Sequence, residues 1–226
     1  MTRRLPLFPL GTVLFPGLVL PLNVFEPRYR ALVEDLVAAG GEEPRGFGVV
    51  AIRAGHEVGA DNVHAMHDVG CVAQLREVTE LDDGRYEIVT VGTSRFRVTG
   101  IDDAAGTPYL TALVEPYGQD PALEEDAAAD PAAEVLAASV RERFARYREN
   151  LDIGGTEAPE DPSVLSYLVA AAMVLETRDR QRLLEEPDTR SRLRSELDLL
   201  KRELLLVEAL GAVPATELPA FPATFN

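Results

Sequence analysis

The sequence of 226 residues has one cysteine, one lysine and no tryptophan, and its basic residues are outnumbered by acidic ones. The lone Cys71 cannot form a disulfide within the chain. With 22 basic and 38 acidic residues the formal charge is -16, which opposes broad attraction to nucleic acid or to anionic lipid. No apolar run approaches the roughly 18 to 20 residues that cross a bilayer. We therefore expect a soluble cytoplasmic protein.

Before Tyr117 the sequence has the pattern of β structure. Short runs rich in Val, Ile and aromatic residues are separated by Gly and Asp clusters, which is typical of strands and tight turns. Asp83-Gly84 favours a hairpin turn, and residues 94–98 (SRFRV) alternate arginine with apolar side chains, which predicts one buried face and one wet face. The predicted strands cover residues 18–25, 46–53, 69–78, 86–101 and 109–117. Short strands with one early helix predict a small barrel or a pair of curled sheets.

The segment at residues 15–36, FPGLVLPLNVFEPRYRALVEDL, joins a strand to a helix. Pro16 and Pro21 lack the N–H that an interior strand donates, so the run predicts an edge strand or one broken by a bend. Pro27 fits the first position of a helix, which Gly40-Gly41 ends. The apolar residues that recur at helical spacing are Tyr29, Leu32, Val33 and Leu36.

After Tyr117 the pattern becomes helical. Asp130-Pro131 and Asp161-Pro162 each place an N-cap residue before a proline at the first helical position. A last helix opens at Pro187-Asp188, with leucines spaced alternately by four and three, as in the seam of a bundle or short coiled coil. The prediction is a β subdomain at 1–117, an acidic linker at 118–130, a helical subdomain at 131–211 and an extended tail at 212–226.

Five segments combine proline placement, strands and helices in one order. They are LPLFPLGTVLFPGLVLPL at 5–22, FEPRYRALVEDL at 25–36, DVGCVAQL at 68–75, DDGRYEIVTVGTSRFRV at 82–98 and, more loosely, RLRSELDLLKRELLLVEAL at 192–210. Together they resemble the N-terminal substrate-recognition domain of the Lon ATP-dependent protease, in its standalone form. The resemblance implies an α+β chain: a PUA-like curled β-barrel or sheet with one early helix, then an all-α bundle that ends in a long helix. It also implies recognition of unfolded or tagged polypeptides.

The resemblance does not extend to the catalytic parts of such a protease. The nearest match to a P-loop, GEEPRGFG at 41–48, has Phe47 where the phosphate-binding lysine is needed. The family's peptidase uses a serine activated by a lysine, and Lys201 lies six positions after Ser195, a spacing that does not bring two side chains together on a helix. We therefore expect no enzymatic activity and no cofactor.

A metal site is a second hypothesis. Its candidate ligands are Asp61, His64, His67, Asp68 and Cys71, because imidazole and thiolate suit zinc. Their spacing matches no familiar zinc pattern, and Cys71 lies in an apolar strand, so a small core residue is the simpler interpretation. We expect no metal.

The candidate peptide-binding residues combine aromatic and guanidinium groups near the strand-to-helix junction. An arginine beside an aromatic ring can hold a carboxylate or stack on a ring, but a local ion pair of Glu26 with Arg28 or Arg30 is an equally simple interpretation. The six candidates are Phe25, Arg28, Tyr29 and Arg30 at the helix entry and Phe96 and Arg97 on the hairpin that we expect to flank it.

Three functions compete. The favoured one is a noncatalytic module that binds unfolded or extended polypeptide, as an adaptor, a regulator or a chaperone-like protein, with a full-length Lon protease as a further candidate partner. Strand edges and N-terminal apolar residues could contact such a ligand, although those residues could instead form the module's own core: Leu5, Leu7, Phe8, Leu10 and Phe15.

The alternatives are an RNA-binding protein, because PUA-like domains elsewhere bind RNA, and an unrecognised peptidase or hydrolase. Residues 1–117 carry ten arginines and sixteen acids, a net charge of -6, so no nucleic-acid partner is favoured, and neither is a membrane. The leucine seam at 193–207 fits packing within one chain, so we expect a monomer, with a dimer as the alternative.

Overall fold

The computed structural model describes residues 2–39, 45–55, 63–118, 130–154 and 157–210. The chain divides into two compact units, residues 1–117 and 118–226. Most of the predicted linker, at 119–129, and the predicted tail lie outside the described residues, as do the glycines expected to end the first helix.

The first unit contains seven strands and one helix among its described residues. They are β1 (Arg3–Leu10), β2 (Val19–Val24), α1 (Pro27–Ala38), β3 (Gly46–Gly55), β4 (Val63–Met66), β5 (Val69–Glu80), β6 (Tyr86–Ile101) and β7 (Thr111–Pro116). The five predicted strands and the helix that begins at Pro27 are present. β1 and β4 were not predicted; the prolines of β1 hid its alternation, and β4 has only four residues.

Five strands close into a barrel. The order β1-β7-β6-β5-β3 is antiparallel throughout, and β1 also pairs in parallel with β3, which closes the ring. β6 is long enough to change partners: residues 86–91 pair with β2, and residues 96–101 pair with β7. Within the described strands, β2 pairs only with β6 and β4 only with β3.

The two faces of the barrel wall belong to two different clusters of buried side chains. One buried cluster takes side chains from each of the five closed strands and therefore fills the barrel: Leu5, Leu7, Val50, Val72, Phe96, Ala112 and Val114. Alternate residues of the same strands face outward and join β2 and α1 in a second cluster, which includes Phe8, Phe47, Cys71, Ile88, Leu32 and Val33. The helix thus flanks the strands.

The predicted hairpin turn joins β5 to β6. Gly84 has a φ of 77°, and its N–H donates to the carbonyl of Leu81. Asp83 accepts from the backbone N–H of Arg85 at 3.1 Å, which confirms that this aspartate serves the turn.

The second unit is helical in its described residues. Its elements are α2 (Pro131–Asn150), α3 (Pro162–Ala172), α4 (Thr177–Glu185) and α5 (Thr189–Leu210). The carboxylates of Asp130 and Asp161 cap α2 and α3 by accepting from the N–H groups of Ala132 and Val164, as predicted. α4 was not predicted, because TRDRQRLLE is mostly polar. A mainly antiparallel sheet together with helices is an α+β fold, as expected.

The leucine seam of α5 packs inside this unit. Leu193 and Leu200 are fully buried, and Leu204 is nearly so, against side chains of α2 and α3. Within the described residues no helix is long and apolar enough to cross a membrane.

Candidate functional site

The strand-to-helix junction is built around Glu26, the N-cap of α1. Its carbonyl accepts from the N–H groups of Tyr29 and Arg30, and its carboxylate pairs with the guanidinium of Arg28 at 3.2 Å. The guanidinium of Arg28 also lies 4.4 Å from the centroid of the Tyr29 ring. Arg28 is therefore held in place by both neighbours, which is the local ion pair considered above.

Tyr29 is an anchor rather than a surface group. Its side chain is 3% exposed, and its ring stacks on that of Phe8 with centroids 3.9 Å apart. It therefore fixes the first turn of α1 to β1. We predicted that Tyr29 contacts a ligand, and its burial shows instead that it is a core residue.

Phe25 and Arg30 lie at the surface of the same junction. Phe25 is 51% exposed, so about half of this aromatic side chain is accessible to a ligand. Val24 pairs with Tyr86, so the end of β2 lies beside the start of β6 and the hairpin turn. A Cβ placed on Gly84 would lie 2.9 Å from Nη2 of Arg30, so that guanidinium rests on the turn. We call Phe25, Arg28, Arg30 and the turn at 81–85 the junction surface.

Phe96 and Arg97 do not belong to this surface. They lie ten and eleven residues further along β6 than Tyr86, about 33 to 36 Å along the strand. Phe96 is 2% exposed inside the barrel, so it too is corrected to a core residue. The Arg97 guanidinium lies 4.4 Å from the centroid of the Tyr117 ring.

The alternation expected in SRFRV holds only in part. Arg95 is 2% exposed, although the pattern predicted a wet face, and its guanidinium lies 5.4 Å from the Tyr117 ring. The N–H of Tyr117 donates to the carbonyl of Arg95 and brings that ring to β6. This contact joins residues more than twenty positions apart, so no local pattern could indicate it.

The apolar residues near the N-terminus are core residues as well. All five are at most 7% exposed: Leu5, Leu7, Phe8, Leu10 and Phe15. The alternative that they form the module's own core therefore holds, and the four residues that lie in β1 pack into both clusters.

Two tyrosines tie the outer face of α1 to the barrel. The hydroxyl of Tyr109 donates to Asp35 at 2.7 Å, and that of Tyr86 donates to Glu34 at 3.5 Å. Burial, with the neighbouring Asp35 carboxylate, raises the pKa of Tyr109 to about 12. Burial and the carboxylates of Glu80 and Glu34 raise the pKa of Tyr86. The junction therefore has an acidic flank on which both phenols stay protonated at neutral pH.

The residues weighed for catalysis have other partners. The hydroxyl of Ser195 donates to Glu186 at 2.6 Å, and the ammonium of Lys201 pairs with Asp198 at 3.4 Å. Asp83, by contrast, is a residue of the hairpin turn, and its hydrogen bonds from the backbone and side chain of Arg85 lower its pKa.

Among the described residues no three His, Cys, Asp or Glu side chains lie close enough to hold a metal ion. Asp61 and the side chain of His64 lie outside that description. Cys71 is fully buried in the cluster beneath α1, as a small core residue would be.

The second unit has a surface pocket of about 580 Å³ beside α2. Arg141 and Arg148 line it, together with Phe144, Ile153 and Ala158. Arg141 donates to the carbonyls of Pro159 and Glu160, and Arg148 donates to that of Ile153. Both arginines thus serve to hold the segment that follows α2.

Comparison with known proteins gives one family. The family model described as "ATP-dependent protease La (LON) substrate-binding domain" matches residues 4–202. Lon protease 2 of Myxococcus xanthus is 32% identical over 209 residues, which are 89% of this chain and 24% of that protein. Lon protease 2 of Syntrophobacter fumaroxidans is 29% identical over 216 residues, 92% of this chain and 25% of that protein. The chain thus spans about a quarter of the length of these curated relatives.

Solved structures agree with the fold. The Lon N-terminal domain protein from Xanthomonas campestris has a TM-score of 0.61 at 27% identity, covering 87% of this chain and 98% of that one. The N-terminal domain of the Mycobacterium avium complex Lon protease has a TM-score of 0.65 at 19% identity, covering 88% and 98%. The second likeness concerns the fold alone.

Proposed function

The chain belongs to the family of Lon substrate-binding domains, as its motifs indicated, and on that premise we propose that it is a noncatalytic module that binds unfolded or extended polypeptide. The observation that carries the proposal is the extent of the family match: residues 4–202 cover most of both units. The relatives are named as Lon proteases, which act on polypeptides. We assign polypeptide binding to this chain only as part of the proposal.

The contacts of the described residues support the noncatalytic part of the proposal. The peptidase that the resemblance implies uses a serine activated by a lysine within hydrogen-bond reach. Here the hydroxyl of Ser195 donates to Glu186, and Lys201 is paired with Asp198 at the surface. Ser195 and Lys201 therefore do not form a serine–lysine pair.

The junction surface is the proposed contact area. Phe25 offers a half-exposed aromatic ring on a rigid base, since β2 before it is paired and α1 after it is anchored through Tyr29. Arg28 and Arg30 add guanidinium groups whose positions are set by Glu26 and by the hairpin turn. An aromatic ring beside arginine side chains on a fixed frame is typical of residues that dominate binding energy.

Such a module would act as an adaptor, a regulator or a chaperone-like protein, with clients that expose apolar segments and with a full-length Lon protease as a further partner. We propose that it works as a monomer, because the leucine seam of α5 is already buried within its own unit.

The test is capture of a labelled protein held unfolded by reduction and alkylation of its disulfides, measured by fluorescence anisotropy without nucleotide. We expect capture of this probe and not of the same protein in its native form. A labelled RNA serves as the second control. Equal affinity for native and unfolded protein, or salt-sensitive binding of RNA alone, would refute the proposal.

Phe25→Ala tests the contact area. We expect affinity for the unfolded probe to fall at least about fivefold, since exposed aromatic anchors carry a large share of binding energy. Val135→Ala is the matched control, because Val135 is 70% exposed on α2 in the other unit and should leave affinity unchanged. If both variants bound the unfolded probe with the same affinity, the contact area would lie outside the junction surface.

A further inference from the structure

We propose that the outer edge of β2 accepts the bound polypeptide as an added strand, which rests on the proposed function and specifies how the ligand is held. An edge strand presents unpaired N–H and C=O groups that fit an extended backbone. β2 is such a strand, because β6 is its single partner among the described strands. It also runs directly into Phe25, so a strand added there would lie along the junction surface.

The register shows which main-chain groups of β2 face outward. The N–H of Gly92 donates to the carbonyl of Leu18, so Leu18 faces β6. Because neighbouring residues of a strand point their main-chain groups to opposite sides, Leu20, Leu22 and Val24 also face β6. The hydroxyl of Thr90 donates to the carbonyl of Leu20, which agrees with this parity. The outward residues are therefore Val19, Pro21 and Asn23.

Because of Pro21, this edge has fewer main-chain hydrogen-bond donors than acceptors. The edge presents three carbonyls but only two N–H groups, those of Val19 and Asn23, since proline has none. An added strand can therefore donate three main-chain hydrogen bonds to this edge but can accept only two. Its residues opposite the three outward positions need an N–H and cannot be proline. The missing donor also weakens edge-to-edge pairing between two copies of this chain, which favours a flexible client over a second copy.

The side chains of β2 determine which ligand residues fit best in an added strand. On the barrel side, Leu18 and Leu22 are partly buried against the cluster beneath α1. Side chains of the added strand that point to that side would extend this apolar surface. On the other side stand Val19, Pro21 and Asn23, the last two exposed. The expected ligand is thus an extended segment with apolar residues at alternate positions, the kind of segment that a folded protein buries in a sheet.

Two other strands have a competing edge. β4 pairs only with β3 among the described strands, but it has four residues and its pairing is interrupted by register shifts. The second edge belongs to β5. β3 pairs with residues 71–74 of β5, and the N–H of Leu75 donates to Arg45, so residues 77–80 pair only with β6 among the described strands. By the same parity Val78 and Glu80 face outward there. This edge offers two outward residues instead of three and carries Glu77 and Glu80, and β2 is therefore favoured.

Three substitutions test the assignment with the same unfolded probe. Pro21→Val supplies the missing donor, and we expect tighter binding by about two- to tenfold, the effect of one hydrogen bond. Asn23→Pro removes an outward donor without removing a bond to β6, and we expect weaker binding by a similar factor. Val78→Pro makes the same change on the β5 edge and should leave affinity unchanged. Weaker binding by Val78→Pro, or indifference to both β2 variants, would overturn the assignment.

Amide hydrogen exchange gives a readout that needs no variant. On capture of the probe, the N–H groups of Val19 and Asn23 should exchange more slowly, while those of Leu20 and Leu22 are already bonded to β6 and should change little. Protection at Val78 and Glu80 instead would place the ligand on β5. If wild type captures no unfolded probe at all, the proposed function itself fails; if it captures the probe without these signs, only the added strand is refuted.

Discussion

The ring of Tyr29 in α1 stacks on the ring of Phe8 in β1, with the centroids 3.9 Å apart and the planes inclined by 13°. The contact joins the first turn of the helix to a strand of the closed barrel. We expect Tyr29→Ala to lower the free energy of unfolding by about 3 to 5 kcal/mol, because truncating a buried aromatic side chain leaves a cavity.

Urea-induced unfolding followed by circular dichroism measures this cost. Phe25→Ala is the matched control, since Phe25 is a half-exposed aromatic only four positions away and should change the free energy of unfolding by less than about 0.5 kcal/mol. A similar loss in both variants would mean that the stack does not anchor the helix.

Gly48 makes room for Phe96 inside the barrel. A Cβ on Gly48 would lie 2.6 Å from Cζ of Phe96 and 2.8 Å from Cδ2 of Leu7. Gly48→Ala should therefore destabilise the fold by about 1 to 3 kcal/mol through overpacking. Phe96→Leu should cost less in the Gly48→Ala background than in wild type, because the smaller side chain relieves the contact. Strictly additive free energies in this double-mutant cycle would contradict the assignment.

Tyr109 titrates with Asp35 beside it. Its pKa is raised from 10.0 to about 12, so the folded protein keeps this phenol protonated where the unfolded chain has lost the proton. The resulting stability is fully present below pH 10 and is lost as the pH rises through about 12. Phenolate absorbance of Tyr109→Phe, subtracted from that of wild type, should show one tyrosine titrating late. Asp35→Asn should move that transition to lower pH.

Local chemistry made much of the fold predictable. Pro27, Pro131 and Pro162 begin helices because proline fits the first helical position, and Gly84 adopts the positive φ that the hairpin turn requires. α4 escaped prediction because two of its four buried residues are Arg180 and Gln181, which break the apolar stripe.

The candidate site was predictable only in outline. The exposed Phe25 and the paired Arg28 lie at the junction where the sequence placed them. The contact of Arg30 with Gly84 depends on the register of Val24 with Tyr86, which no local pattern specifies. Phe96 could not be assigned correctly for the same reason: whether it fills the barrel or faces solvent is decided by strand closure.

Glu196 is a fully buried carboxyl on α5. Neither of its oxygens has a hydrogen-bond partner among the described residues. Arg192, one turn earlier, donates through Nε to the hydroxyl of Ser166 and lies 3.7 Å from the centroid of the Tyr167 ring. Burial raises the pKa of Glu196 well above its usual range; Arg192 opposes this increase and Glu186 adds to it. The carboxyl is thus more easily ionised in the unfolded chain than in the folded one.

Because the folded pKa is raised, the neutral carboxyl contributes stability that is complete below the unfolded pKa, near 4.5, and is lost as the pH rises through the folded pKa. Between the two values the folded state holds a proton that the unfolded state has released, so stability falls with increasing pH. Glu196→Gln keeps the shape without the proton. We expect the variant to match wild type near pH 4 and to be the more stable at neutral pH.

Urea-induced unfolding of both proteins at a series of pH values between about 4 and 8 measures the difference, and subtracting one profile from the other cancels every other titrating group. Asp198→Asn is the control, since it removes one negative charge from an exposed position on the same helix and should give no comparable gain at neutral pH. A difference between wild type and Glu196→Gln that stays constant across the series would mean that Glu196 is ionised alike in both states. The attraction of Arg192 would then offset the cost of burial.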